Sequence, residues 1–409
     1  MITLEKLQQA ESLVKKVTNP TKLIVSDYLS EQTGANIYLK PENMQHTGSY
    51  KLRGAYYKIS TLSEEERQHG LITASAGNHA QGVAYAAQKY GCKAIIVMPT
   101  ITPLIKVNRT KSYGAEVILH GDMYDDACAY AYELADKYGY TFVHPFDDLD
   151  VIIGQGSVGM EIIHELPNVD CILVPIGGGG LVAGVAAAAK LQNPNIKIIG
   201  VEPAEAACMK ESLRIGEVIE LESANTIADG AAVKRVGDVT FPLVQQYIDD
   251  IFLIEDADLI GAFLDMVEHH KMIAENAGLL TIAALKQLAR VGGPFITNMN
   301  IVSIVSGGNM DVITMSSSVQ HGLIMRDRIF TIAVLLPDKP GELVRVAQAI
   351  ADGQGNVIKL EHNQFVSTNR NAAVELRITI EAFGSKHKED IIEGLQNVGY
   401  APRIVTTQL

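Results

Sequence analysis

Between about Thr33 and Asp327, short runs of valine, isoleucine and leucine alternate with stretches whose apolar residues recur at helical spacing. NIYLK (36–40), LITASA (71–76), KAIIVMP (93–99), AEVILHG (115–121) and TFVHPF (141–146) read as strands. So do CILVPI (171–176), IKIIGVEP (196–203), DIFLIE (250–255) and NIVSIVSG (300–307). Segments such as GNHAQGVAYAAQKYG (77–91) and YDDACAYAYELADKYG (124–139) read as helices between them. Val- and Ile-rich strands separated by helices of ~10–15 residues imply an α/β fold of parallel sheets covered on both faces. Ligands of such folds bind at the carboxyl ends of strands, so the residues that follow a strand carry the most weight.

The pattern changes near Arg326. RIFTIAVLLP (328–337) reads as a strand, DKPG (338–341) as a turn and ELVRVAQAIADGQG (342–355) as a helix ending in glycine. NVIKLEHNQF (356–365) and AAVELRITIEA (372–382) alternate like strands of a half-exposed sheet, KEDIIEGLQNVGY (388–400) is helical, and PRIVT (402–406) closes the series. This βαββαβ order over 326–409 is a small domain in itself.

Composition changes the picture only modestly. A chain of 409 residues suggests two or three domains at ~150 residues each. Hydrophobic residues at 47% and charged residues at 20% are ordinary for a globular protein. The net charge of -13 argues against general affinity for nucleic acid or anionic membranes. No apolar run reaches the ~18 residues of a membrane span, and MITLEKLQQAESLVKK lacks an apolar signal core, so a cytoplasmic protein is expected. Cys92, Cys128, Cys171 and Cys208 are too far apart for CxxC chemistry and are expected to be buried thiols. No metal site is expected: His269 and His270 are adjacent on a helix and should point to different sides. Glu64-Glu65-Glu66 reads as a solvated helix start.

Four motifs carry candidate chemistry. Gly177-Gly178-Gly179-Gly180 lies between a strand and the helix LVAGVAAAAKL, where free backbone N–H groups and the helix's positive end suit a phosphate. Close packing of the turn would explain one or two of these glycines, not four. Gly178-x-Gly180-x-x-Ala183 with Glu202 beyond also fits a loose dinucleotide fingerprint, whereas no Gly-Lys-Ser/Thr follows to make a P-loop. Lys51 in TGSYKLRGA stands just inside a helix start; it is either a surface charge or, if buried, a lysine able to form a Schiff base. Ser75-Ala76-Gly77-Asn78-His79 opens a helix after a strand and suits a carboxylate or phosphate, or else simply caps that helix. Ser306-Gly307-Gly308-Asn309 closes the last strand, where a serine offers one specific hydrogen bond to a ligand ring.

SYKLRGA, SAGNHAQG, VPIGGGGL and SGGN, in that order, resemble the threonine deaminase and serine/threonine dehydratase family. The resemblance implies the tryptophan-synthase-β-like, type II fold over residues 1–325, with a smaller subdomain at about 42–150 inserted in a larger one. It implies pyridoxal 5'-phosphate as cofactor and sets NAD aside. Carried over by motif, Lys51 would bind the cofactor covalently, and Gly177, Gly178, Gly179, Gly180 and Leu181 would cradle its phosphate. Asn78 would meet the ring hydroxyl, Ser306 the pyridine nitrogen, and Ser75, Ala76, Gly77, Asn78 and His79 the substrate carboxylate. The implied reaction is the elimination of L-threonine to 2-oxobutanoate and ammonia, with L-serine to pyruvate as a side activity, feeding isoleucine biosynthesis. Lys51 would serve as general base.

Some positions depart from the family. Ala76 replaces the serine that supplies opposite-face proton chemistry in related racemases, which favours a lyase. Tyr50 stands where phenylalanine is usual, Asn276 follows Glu275 in place of Pro or Gly, and Cys208 replaces a carboxylate of metal-activated relatives. Residues 326–409 resemble an ACT domain, implying pairing and an amino-acid effector, isoleucine or valine, bordered by Asp338, Gly341, Glu342, Leu343, Asn356, Val357 and Ile358. Family habit implies a homotetramer or homodimer. A non-catalytic amino-acid sensor is the competing class, and it would have lost the reactive lysine.

Overall fold

The apolar runs become strands and the helical stretches cover them. The computed structural model describes residues 1–364 and 374–407. In chain order its strands are β1 (Ile24–Val25), β2 (Asn36–Pro41), β3 (Leu71–Ala74), β4 (Ala94–Met98) and β5 (Glu116–Leu119). Then follow β6 (Thr141–Phe142), β7 (Cys171–Pro175), β8 (Lys197–Pro203), β9 (Asp250–Ile254) and β10 (Asn300–Val305). The last four are β11 (Ile329–Leu336), β12 (Asn356–Asn363), β13 (Val374–Glu381) and β14 (Arg403–Val405). Phe365 and the pair Ala372 and Ala373, at the ends of two expected strands, lie outside the described residues.

The chain divides into two compact units, Met1–Met310 and Asp311–Leu409. The helix Val312–Met325 falls in the second, ahead of the change of pattern near Arg326 at which the sequence places the boundary. The first unit holds a six-stranded sheet, β1-β2-β10-β7-β8-β9, parallel except for β1, and a four-stranded parallel sheet, β5-β4-β3-β6. β10 and β7 are neighbours, so the loops that leave their carboxyl ends emerge side by side.

The helix Lys51–Thr61 buries Leu52, Arg53, Ala55, Tyr56 and Ile59 against the helices Asn78–Tyr90 and Leu149–Glu165. The contact is tight at Gly154, where a Cβ would lie 2.8 Å from the Arg53 carbonyl oxygen. Arg53 is fully buried and meets the Glu42 carboxylate at 2.8 Å and Glu161 at 2.7 Å, while Lys40 meets Glu161 at 2.7 Å. This ion cluster ties the start of the helix to β2 and to Leu149–Glu165.

Several expected ends move inward for local reasons. TFVHPF stops pairing after Phe142, because His144 Nδ1 accepts the backbone N–H groups of Phe146 and Asp147 and turns the chain. Glu64–His69 begins with a reciprocal capping box between Ser63 and Glu66, so the acidic run is the solvated helix start that was expected. His269 and His270 do not point apart: both rings reach Tyr28, one stacked at 3.6 Å and one edge-on at 6.4 Å. They sit on a π-helical turn, Met266–His270, which changes the angular spacing of neighbours. The four cysteines are free; Cys171 and Cys208 are buried, whereas Cys92 and Cys128 are half-buried rather than enclosed.

In the second unit the antiparallel sheet runs β12-β13-β11-β14. Phe330, Ile332, Val334, Leu376, Ile378 and Ile380 point to a face packed with Val346, Ile350, Ile391 and Leu395 of its helices. Among the described residues no helix is long and apolar enough to cross a membrane.

Candidate active site

Three strand-following loops and one helix start converge in the first unit. The segment before Lys51 and the loop after β10 lie antiparallel: Ser49 bridges Gly307, Tyr50 N–H donates to the Ser306 carbonyl at 3.1 Å, and Gly308 N–H donates to the Gly48 carbonyl at 2.9 Å. Lys51 and Ser306 are thereby stitched together, and Ser306 is buried. Lys51 is the first residue of its helix, and its Nζ donates to the Pro145 carbonyl at 2.7 Å. Burial lowers the Lys51 amine to about 8, against the opposing pull of the Glu275 charge. A lysine so placed has an accessible neutral form near physiological pH, as a nucleophile or base requires.

Asn78 opens the helix after β3, and its amide is held at both ends. Nδ2 donates to Glu275 Oε1 at 2.5 Å, and Oδ1 accepts from Asn309 Nδ2 at 2.7 Å, which also donates to the Thr47 carbonyl at 2.8 Å. Ser75 Oγ accepts the Gly77 N–H at 3.2 Å, shaping a loop whose later N–H groups lead into the first turn of Asn78–Tyr90. Orphan N–H groups at such a turn can donate to a carboxylate. His79 is buried behind them; burial and the nearby Lys51 charge lower it to about 3, so the ring is neutral. Its Nε2 donates to the Val143 carbonyl at 2.9 Å, which fixes the tautomer.

The glycine loop lies between β7 and the helix Gly180–Gln192, and Leu181 is buried in that helix's first turn. Gly179 has φ 96°, a left-handed conformation that favours glycine. A Cβ on Gly178 would stand 2.3 Å from the Phe146 ring, and one on Gly177 3.2 Å from Ala231 Cα. The Gly178 carbonyl is occupied by Thr240 Oγ1 at 2.7 Å, and Asp147 in turn accepts the backbone N–H groups of Asp238, Val239 and Thr240. The loop is thus braced from behind.

The structure therefore brings together Lys51, the Ser75–His79 loop, Asn78 and Ser306, with the glycine loop on the strand beside Ser306. A side-chain-free loop at a helix N-terminus fits a phosphate, and a low-pKa amine fits an aldehyde, so the residues present suit pyridoxal phosphate. Sequence reasoning missed Glu275, Asn309, Phe146 and Thr240 as contributors. Asn309 belonged to a quoted motif and Glu275 was noticed only for its neighbour; Phe146 and Thr240 carried no local signal.

Glu202, fully buried at the end of β8, accepts the N–H groups of Met209 and Lys210, each at 2.9 Å. Burial raises it to about 7. Among the described residues no cluster of three or more His, Cys, Asp or Glu could hold a metal ion.

The seven residues named as a regulatory border do not meet within one chain. Asn356 pairs with Glu381, which also pairs with Ile329 at the start of β11, whereas Leu336 at its far end pairs with Val374. Asp338, Gly341, Glu342 and Leu343 leave from the Leu336 end, and Asn356, Val357 and Ile358 lie at the Ile329 end. The strand register puts the length of the sheet between them, roughly 20 Å or more at ~3.3 Å per residue. Locally, Glu342 accepts from the Tyr400 hydroxyl at 2.9 Å and Asn356 donates to Glu381 at 3.0 Å. A separate polar cleft opens on the sheet, lined by Thr331, Lys359, Glu361, Arg377, Thr379 and Thr406, none of them foreseen.

The family model for pyridoxal-phosphate-dependent enzymes matches residues 14–307. The L-threonine ammonia-lyase of Thermotoga maritima is 42% identical over 405 residues, covering 99% of this chain and 100% of its own length. The biosynthetic L-threonine dehydratase of Pasteurella multocida is 40% identical over 389 residues, 95% of this chain and 74% of the relative. Among solved structures, the processed form of threonine deaminase isoform 2 from Solanum lycopersicum superposes with a TM-score of 0.75 at 42% identity, covering 78% of this chain and 89% of that one. With the glycine cradle, the depressed lysine and the sheet order already in place, these similarities make the chain a member of the family of pyridoxal-phosphate-dependent enzymes.

Proposed function

We propose that the protein is an L-threonine ammonia-lyase, converting L-threonine to 2-oxobutanoate and ammonia, with L-serine to pyruvate as a slower side reaction. The observation that carries this reading is the half-buried Lys51 amine, lowered to about 8, stitched to Ser306 and set among anion-binding loops. Similarity to ammonia-lyases over nearly the whole chain supports it.

In this reading Lys51 holds the cofactor, Gly177 to Leu181 bind its phosphate, Asn78 faces its ring hydroxyl and Ser306 its ring nitrogen. Pyridoxal phosphate, when bound, supplies an electron sink that stabilises negative charge at the substrate Cα. The N–H groups of Ser75 to His79 grip the substrate carboxylate and so fix which face of the Cα meets Lys51. Lys51 Nζ, when not engaged in holding the cofactor, would take the α-proton of the substrate as general base. Loss of the β-hydroxyl as water, followed by hydrolysis, gives the keto acid and ammonia. Ala76 has no hydroxyl to return a proton on the opposite face, which favours elimination over racemisation. The uncharged Ser306 leaves the ring nitrogen less cationic than a carboxylate would.

The second unit is read as an ACT domain of βαββαβ order. Because the two halves of its expected border lie at opposite ends of one sheet, an isoleucine or valine site would need the turn of one copy and the β12 start of another. A homodimer or homotetramer follows from that reading.

Purified protein given L-threonine should form 2-oxobutanoate faster than it forms pyruvate from L-serine. Preferred serine turnover, or D-serine as product, would overturn the assignment. Isoleucine or valine should shift the threonine half-saturation by about 5- to 150-fold, the range of a 1–3 kcal/mol coupling. Unchanged saturation curves with both would refute the effector reading.

A further inference from the structure

Glu275 is a charged group beside Asn78 for which the proposed mechanism has no task. It precedes the helix Asn276–Gly292, and its own N–H donates to the Gly307 carbonyl at 3.0 Å. That bond presses the side chain between the Ser306 loop and Asn78: a Cβ on Gly307 would lie 2.2 Å from Glu275 Oε1. The carboxylate accepts from Asn78 Nδ2 at 2.5 Å, and Asn78 passes the connection to Asn309 at 2.7 Å and Thr47 at 2.8 Å. Asn309 N–H donates to it as well. Its field acts on both Tyr50 and Lys51 at the start of the lysine helix.

We propose that Glu275 is a positioning residue that orients the Asn78 amide and, through its charge, sets the protonation of the Lys51 nitrogen. The groups facing it explain how one carboxyl does both. Lys106 from the helix Leu104–Ser112 favours its ionised form, as do the Asn78 and Asn309 donors, while Asp229 opposes it. Burial dominates and brings the carboxyl to about 7, next to a lysine at about 8. An ionised Glu275 favours a protonated Lys51 nitrogen; a neutral one releases it. The Glu275 side chain makes no capping hydrogen bond to the helix it precedes; its carboxylate is taken up by Asn78 instead.

This inference rests on Lys51 as the cofactor-bearing lysine, and the test separates the two. The resting holoenzyme, without substrate, is titrated while the visible band of the lysine–cofactor linkage is followed. That band requires a protonated nitrogen. Glu275→Gln keeps the shape and the acceptor oxygen but not the charge. It should lose the band at a pH lower by about one unit or more, a tenfold change in proton affinity per unit. Glu275→Asp, with its carboxylate drawn back, should fall between the two. Superimposable titrations of wild type and Glu275→Gln would overturn the proposal. Should the glutamine variant not fold, a Glu275→Asp midpoint at or above that of wild type would do so. A wild-type protein with no visible band, or a band that survives in Lys51→Ala, would instead remove the Lys51 reading and this inference with it.

Discussion

Two sites on the helix Lys51–Thr61, two residues apart, treat buried charge in opposite ways. Arg53 is saturated: Glu42, Glu161, Ser157 and Thr21 take its guanidinium, and Lys40 completes the cluster. Burial alone would discourage ionisation of Glu161, yet Arg53 and Lys40 outweigh it and hold the carboxyl down at about 2. The Lys51 amine meets neutral groups, the Pro145 carbonyl and the face of the Tyr50 ring, and the Glu275 field does not make up for its burial. Paired charge is fixed charge, useful for holding a helix in place. A poorly paired amine can give up its proton, which is useful for chemistry. The lesson is that the cluster places the helix and the cleft draws on that placement.

The largest effect should come from breaking the reactive side. Lys51→Ala should lower kcat for threonine by about 1,000-fold or more while leaving the fold intact, read by keto-acid formation and circular dichroism. Breaking the paired side should do the reverse. Arg53→Met leaves Glu42 in the interior without its charged partner and Glu161 with Lys40 alone, and should cost about 3–5 kcal/mol in urea unfolding. Gly178→Ala must move the Phe146 ring; overpacking of about 1–3 kcal/mol would weaken cofactor binding about 10- to 100-fold, read by fluorescence titration of the apoprotein. Ser63→Ala removes an exposed capping box distant from both sites. It should cost about 1 kcal/mol with unchanged kcat.

A pH experiment sharpens the same contrast. Glu202 and Glu275 are both raised to about 7 by burial, so the folded state holds protons that the unfolded chain releases near 4.5. Their contribution to stability is fully present below the unfolded pKa and is lost as pH rises through the folded value. Apoprotein stability should therefore fall between about pH 4.5 and 7 and level off above, a trend flattened in the Glu202→Gln, Glu275→Gln double variant. Glu161 has the opposite sign: its contribution is present above pH 4.5 and is lost only as pH falls toward 2.

What could be read from the sequence was local. β-branched runs separated by amphipathic stretches marked the parallel sheets, and four glycines after a strand marked a turn free of side chains at a helix start. Lys51 was singled out by its motif, not by its environment. The rest depends on contacts between distant residues. Asn78 meets Glu275 across 197 positions and Asn309 across 231, so no window of sequence contains the chain of amides that aims the site. Arg53 lay inside a quoted motif, but its burial among Glu42, Glu161 and Lys40 comes from three separate elements. In the second unit the turn and the β12 start looked like one border because each was a plausible ligand edge. Only the strand register, Asn356 opposite Glu381 and Leu336 opposite Val374, reveals that they stand at opposite ends.

The reading stands or falls on whether Lys51, the unsaturated charge of this helix, and not one of its neighbours, carries the cofactor. Purified holoenzyme should be reduced with borohydride, digested and mapped by peptide mass spectrometry. The pyridoxyl phosphate mass should appear on the peptide containing Lys51 and on no other. The label on Lys40, Lys58 or Lys106, or on no lysine of a protein that turns over threonine, would contradict it.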